Sequence, residues 1–384
     1  MGQHLSCMEA LLPNPSTFEI GEKRFYELYP NVTWEHVDRT FGTVDDGQLI
    51  IKKLDHQNNC VYHRKCRRQT YRCSRPDECP VKTLPKEVCA MRLAHELGVG
   101  PPIHAVHRVA GMTWYVVQKR AGMDLCELFE TYPDHAQFSS LPFKMDLIET
   151  AAAQFDRLVC AGKLIHSDIK KDNIIIDLTQ TAKDGTVRVD KKSLRVIDFG
   201  SCRMYETADA IRDDENAVSD SVTVCYYPED VVLGKRHNPN TSDKFAFVAF
   251  ALMVLKRQTG CSQELLERRL TTKKYTSIIR SVVRGLPDET NVKLLTDFFT
   301  DVLVSRREKL EAYEYGDIAL KILGYLTDRP ERKRRLKRRH GDADDDDDSG
   351  MNSDDDDDEE ETTIKFASGK PRCMRYGDSS GDEQ

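Results

Sequence analysis

Eleven consecutive apolar residues, Phe245 to Leu255, run between Lys244 and Lys256. A helix that is apolar on every side has to be buried on every side. A membrane-spanning helix needs about 20 such residues, so this run predicts a buried core helix instead. Around it the chain has 384 residues, room for two or three domains or lobes at about 100–200 residues each. Hydrophobic residues make up 39%, enough for a core of that kind. The net charge of −7 is unevenly placed: eleven Asp and three Glu lie between Asp342 and Glu361 with no Lys or Arg among them. Setting those fourteen negatives aside turns −7 into +7, so the acidity belongs to a tail and the body is mildly basic.

Composition divides the chain into a short Pro-containing segment 1–20, a mixed region 21–330, and a terminal region 331–384. The last opens with the basic block ERKRRLKRRH and continues Asp/Glu/Gly/Ser-rich. Such a tail buries too little apolar surface to offset its ordering entropy and reads as disordered. Within 21–330 the early part favours strands. Leu49–Leu54 and Thr113–Lys119 are β-rich, the first after the turn signal Asp45-Asp46-Gly47. Leu84 to Leu97 has helical spacing of Leu84, Val88, Met91 and His95, with Pro85 suited to the first turn. From Leu141 helices dominate, with predicted helices at Phe143–Ala161 and Asp243–Leu255. Two short strands, Asn173–Asp177 and Leu194–Asp198, lie between them around a polar hairpin. Strands followed by helices is the order of an α+β chain in two lobes. The expected division is a β-rich lobe 21–122 carrying an insert 55–84, and a helical lobe 123–330.

Residues 164–173 read LIHSDIKKDN, which spaces His166, Asp168, Lys170 and Asn173. Thirty residues after Asp168 comes Asp198-Phe199-Gly200, at the end of an apolar strand. In these two motifs, in this order, the chain resembles the eukaryotic-type protein kinases, whose catalytic loop is HRDLxxxN and whose metal loop is DFG. The resemblance extends over residues ~35–330. It implies a bilobal fold and phosphoryl transfer from ATP, a reaction that depends on holding the acceptor in line and neutralising the triphosphate. Asp168 would accept the hydroxyl proton, and Lys170 would steady the γ-phosphate, the pattern of serine/threonine rather than tyrosine kinases. Asn173 and Asp198 would hold Mg²⁺ through oxygen, as that ion prefers. Lys52, in LIIKK, stands at the lysine of the family's VAIK strand, with Glu87 as its expected partner and Glu96 as the alternative.

Other positions depart from the family. Phe41-Gly42-Thr43-Val44 matches the close of the glycine-rich loop, with Gly42 and Val44 at nucleotide-binding positions, but Val37 and Arg39 fill the two earlier glycine positions. Val117 is the expected gatekeeper, with backbone groups of Gln118 and Arg120 on the adenine and Asp124 at the ribose. Tyr227-Pro228-Glu229 stands where the family has APE, and Asp243 where it has an Asp supporting the catalytic loop; as a helix-starting residue Asp243 reads equally as an N-cap. Thr223 lies one residue out of register with the threonine that touches the catalytic Asp and Lys. Ser167 replaces the Arg that pairs with an activation-segment phosphate, so activity is expected without that phosphate. The departures resemble those of the divergent kinases of large DNA viruses.

The insert carries Cys60, His63, Cys66, Cys73 and Cys79, enough ligands for a tetrahedral Zn²⁺, against the plainer reading of a basic loop with free thiols. Met1-Gly2 through Ser6 fits an N-myristoylation signal at Gly2, and Cys7 offers a second lipid site, so membrane association is one expectation. The chain shows no secretory signal, and its twelve Cys are expected as reduced thiols in cytoplasm or nucleus. The basic block lacks aromatic interleaving, so direct nucleic-acid binding is not expected. The reading is a Mg·ATP-dependent kinase acting on Ser/Thr of protein substrates. The alternatives are a small-molecule kinase of related fold and a non-catalytic pseudokinase scaffold.

Overall fold

The structure, a computed structural model, describes residues 19–34, 41–44, 47–55, 86–109, 113–120, 122–133, 135–180, 187–215, 217, 223, 226–256, 272–284, 289–305 and 307–326. The architecture is α+β. Strands β1 (Glu19–Ile20), β2 (Thr33–Trp34), β3 (Phe41–Val44), β4 (Leu49–Asp55), β5 (Ile103–Val109) and β6 (Thr113–Lys119) form one sheet in the order β1-β5-β6-β4-β3-β2. All pairs are antiparallel except β1 with β5. The last two residues of the Pro-containing segment 1–20 thus supply one edge strand of the sheet. Helix α1 (Glu22–Leu28) follows it.

Alternation in β4 gives the sheet two different faces. Ile51 points outward with Val44, Tyr115 and Val117 into a cluster around Phe25 of α1. Its stacked contact with Tyr115 has ring centroids 4.2 Å apart. Leu54, Val106, Trp114 and Val116 point inward, against Val88 and Met91 of α2 (Lys86–Glu96). That helix ends one residue before the predicted Leu97, and residues 84 and 85 lie outside the described residues. It stops at Gly98, whose φ of +68° suits glycine, where Gly98 and Val99 donate back to His95 and Ala94.

The remainder is mostly helical. Strand β7 (Met123–Asp124) leads into α3 (Leu125–Thr131), and α4 (Leu141–Cys160) begins at Ser140, whose hydroxyl accepts from Phe143 N–H at 3.3 Å. Next come β8 (Leu164–Ile165), β9 (Ile174–Gln180), β10 (Val187–Val196) and β11 (Arg203–Met204). β10, β9 and β7 form a three-stranded sheet, and β11 pairs with β8. The apolar run sits in α5 (Pro239–Lys256), where every residue from Thr241 to Leu255 is buried. It starts four residues before Asp243, with Asn238 Oδ1 accepting from Thr241 N–H at 3.0 Å. Asp243 is therefore not a cap. Helices α6 (Thr272–Val283), α7 (Glu289–Thr300) and α8 (Tyr315–Leu326) pack around it. Among the described residues no helix is long and apolar enough to cross a membrane.

The strand predicted from Asn173 starts one residue later. The one predicted for Leu194–Asp198 is the end of β10, which leaves Asp198 beyond the ladder in a left-handed conformation (φ +63°). At the junction between the sheet and the helices, Gly122 has φ +87°, and a Cβ there would lie 2.1 Å from the Ile176 carbonyl oxygen. Backbone cannot yield as a side chain can. Gly122→Ala is expected to lower stability by about 2 kcal/mol or more, read as a shift in the urea midpoint.

Candidate active site

The loop between β8 and β9 is held from below by one buried carboxylate. Asp243 Oδ2 accepts from His166 N–H (3.1 Å) and Oδ1 from Ser167 N–H (2.9 Å). Burial pushes the Asp243 carboxyl above its ordinary range, opposed by His166 and by hydrogen bonds from Tyr227 and the two amides. Asp168 N–H in turn donates to His166 Nδ1 (3.2 Å). That leaves Nε2 as the protonated ring nitrogen, donating to the Ile197 carbonyl at 2.9 Å. The ring packs edge-on against Phe199, with centroids 5.2 Å apart. Ser167 has φ +64°. A non-glycine residue in that region is strained and holds only where its surroundings fix it.

Above this base the polar side chains converge. Asn173 Nδ2 donates to both the backbone carbonyl (2.8 Å) and Oδ2 (2.9 Å) of Asp168. With both N–H groups committed, its amide oxygen is what Asn173 has to offer a ligand. Lys170 Nζ lies 2.7 Å from Asp168 Oδ2 and donates to Thr223 Oγ1 at 3.1 Å. Thr223 donates to Asp168 Oδ1 at 2.8 Å. Thr223, the residue whose register looked wrong, thus closes a triangle with Asp168 and Lys170. Burial works to lower the Lys170 ammonium, but Asp168, with Asp198 and Asp172 nearby, holds it above its ordinary value.

A second cluster lies near the first, with Asp198 close enough to act on the Lys170 charge. Lys52 Nζ, on the inward face of β4, pairs with Glu87 Oε1 in the first turn of α2 and with Asp198 Oδ1 at 2.7 Å. Glu87, not Glu96, is the partner. Burial opposes charge on Lys52, but Glu87 and Asp198 outweigh it and raise the ammonium well above its usual range. Burial likewise pushes Asp198 up, and Lys52, His166 and Lys170 more than reverse it, so its carboxyl titrates below the ordinary carboxylate range. The Lys52 ammonium also lies over the Phe41 ring, 5.4 Å from its centroid.

Several nucleotide-side residues sit differently from expectation. β4 pairs with β6 so that Lys52 faces Val116, Ile51 faces Val117 and Ile50 faces Gln118. Directly opposed residues share a face, so Val116 and Gln118 share the Lys52 face, whereas Val117, the expected gatekeeper, is buried on the outer one. Val44 lies there too, 2% exposed. A Cβ on Gly42 would meet the Trp34 ring at 2.9 Å, so this glycine accommodates an aromatic neighbour. The backbone N–H of Arg120 donates to the Gln48 carbonyl (2.8 Å) and is already used. Asp124 caps α3, accepting from Glu127 N–H at 2.8 Å. Burial raises its carboxyl, and the charges of Asp172 and Glu130 add to this. An open groove runs from Asp124, Glu127 and Glu130 past Asp172 to Lys170 and Thr223.

Asp230 follows directly on the Tyr227-Pro228-Glu229 motif. Arg307 grips it through two parallel bonds of 2.5 and 2.6 Å. Val37, Arg39, the five Cys/His positions of the insert, Gly2, Cys7 and the terminal region lie outside the described residues. Among the described residues no group of three or more His, Cys, Asp or Glu is placed to hold a metal ion.

A β-sheet carrying Lys52, an adjoining helix carrying Glu87, and a helical part carrying the Asp168 loop and Asp198 together make a protein-kinase-like fold. No protein-family model matches the chain, and no curated protein does. Among solved structures it is similar to the Cydia pomonella granulovirus kinase PK-1, at 14% identity, over 73% of this chain and 89% of that chain, with a TM-score of 0.44. That likeness is distant, and the fold is defined by the strand order and side-chain placement above.

Proposed function

We propose that the chain is a Mg·ATP-dependent protein kinase that phosphorylates Ser or Thr. The observation that carries this reading is the triangle of Asp168, Lys170 and Thr223 beside the Lys52–Glu87–Asp198 cluster, with Asp198 near enough to act on the Lys170 charge. ATP with its magnesium would supply the transferable phosphoryl group and the positive charge that neutralises its oxygens. The donors suit that ion: one carboxylate, Asp198, and the free amide oxygen of Asn173 are hard oxygen ligands, few enough to leave room for phosphate and water. Asp168 would orient the acceptor hydroxyl and take its proton. Its carboxylate is pre-set by Asn173 and Thr223, so little reorganisation is needed at transfer. Lys170 would place a positive charge where negative charge develops. Lys52 would grip the α- and β-phosphates, with Glu87 fixing its direction.

ATP with Mg²⁺ is expected to raise Tm by about 5 °C at a concentration a hundredfold above Kd, and by far less without the metal. No shift under either condition would favour a pseudokinase scaffold. Ser167 cannot pair with phosphate as Arg does, so Ser219→Ala with Ser221→Ala is expected to keep activity within about twofold of wild type. Thr223 is left intact in that variant, because it touches Asp168. A loss above tenfold would mean that the segment requires phosphorylation.

A further inference from the structure

Asp243 accepts two bonds besides those from the catalytic loop. Tyr227 donates to Oδ1 at 2.9 Å and Tyr315 to Oδ2 at 3.2 Å. Each oxygen therefore takes one loop amide and one tyrosine hydroxyl. All four partners donate at once, an arrangement that suits the ionised carboxylate; a protonated Asp243 would have to turn one tyrosine hydroxyl from donor to acceptor. Asp243 is 1% exposed, and a buried carboxylate without that full set of donors is costly.

Tyr315 comes from a distant part of the chain, at the start of α8, and it is held there on three sides. Asp156 of α4 accepts from the Tyr315 and Gly316 N–H groups, both at 2.8 Å, using one oxygen for each. Its ring packs against Phe155, at 5.5 Å between centroids, and edge-on against Phe247, at 5.4 Å. With the ring and backbone so held, the hydroxyl reaches Asp243 Oδ2.

We infer that Tyr315 is a positioning residue for phosphoryl transfer, acting through Asp243 on the His166–Asp168 loop. This rests on the kinase reading above. Without the hydroxyl, Asp243 Oδ2 keeps only the 3.1 Å bond from His166. The carboxylate then has three donors in place of four, and the loss falls on the oxygen that holds His166, which loosens the loop that aims Asp168.

The test compares wild type and Tyr315→Phe by steady-state phosphotransfer to a generic protein substrate, together with amide hydrogen exchange resolved at His166 and Ser167. A hydrogen bond to a charged group of this strength predicts a kcat about tenfold lower. KM for ATP stays within about twofold, since Lys52 and Asp198 are untouched, and exchange at the two amides becomes about tenfold faster. A lower Tm with kcat and both amides unchanged is the mark of a merely structural residue and overturns the inference. If Tyr315→Phe does not fold, Asp156→Asn decides by the same measurements, because it loosens the backbone of residue 315 and leaves the hydroxyl in place. A lowered kcat at constant KM supports the inference there, and an unchanged kcat overturns it. Should wild type itself transfer no phosphate, the kinase reading fails, and the exchange comparison alone judges the coupling of Tyr315 to the loop.

Discussion

Lys52→Met is expected to lower kcat/KM for ATP by about 10²–10³-fold, the usual cost of removing one preorganised charge from a site where charge develops. Steady-state kinetics with varied ATP reads it directly. The same change also destabilises the fold, because Lys52 neutralises Glu87, whose side chain is 4% exposed. An uncompensated buried carboxylate costs about 3 kcal/mol. These two effects separate. Adding Glu87→Gln removes the stranded charge and is expected to restore most of the stability while leaving activity as low as before. Recovery of activity in the double variant would mean that Lys52 matters only as the partner of Glu87.

Asp243→Ala should have the largest effect on stability. It strips the acceptor from two buried amides and two buried tyrosine hydroxyls at once. At roughly 1–3 kcal/mol for each unsatisfied group, the sum approaches the whole stability of about 5–15 kcal/mol of a typical domain. The expected result is protein without a cooperative melting transition at physiological temperature. Asp243→Asn is the informative companion. It keeps the volume, but its NH₂ faces one amide and one hydroxyl that also donate. It is expected to fold with a Tm lower by several degrees and with phosphotransfer reduced at least tenfold. A cooperative transition at the wild-type Tm for Asp243→Ala would show that the four donors find other acceptors.

What could be read from the sequence was what is local in it. His166, Asp168, Lys170 and Asn173 lie within eight residues, so their spacing alone places them on one loop. Lys52 and Glu87 were legible through the resemblance of LIIKK to the kinase VAIK strand and of the following helix to the one that carries its partner glutamate, and the structure brings them together. The apolar run from Phe245 needs no partner to announce burial. The errors lie where one residue of register decides. Val117 and Val116 are equally apolar neighbours, and only pairing with β4 sets which of them shares the face of Lys52. Val44 goes outward for the same reason, drawn into the pocket around Phe25, a residue whose helix the sequence did not signal. The start of α5 was missed because Pro239 and Asn238 begin it among polar residues, before its apolar run. Tyr315 lies 72 residues from Asp243, and no spacing rule connects them. Thr223 was within reach: its hydroxyl chemistry fitted, and only the loop length around it was wrong.

The most direct measurement is transfer of labelled γ-phosphate from Mg·ATP to a generic protein substrate and to the protein itself, by wild type and by Asp168→Asn, followed by phosphoamino-acid analysis. The expected result is label on Ser or Thr that is lost in the variant, with both proteins showing the same Tm within a few degrees. Label that persists in Asp168→Asn, or transfer to small alcohols with none to protein, would contradict the assignment of Asp168 as the base of a Ser/Thr protein kinase.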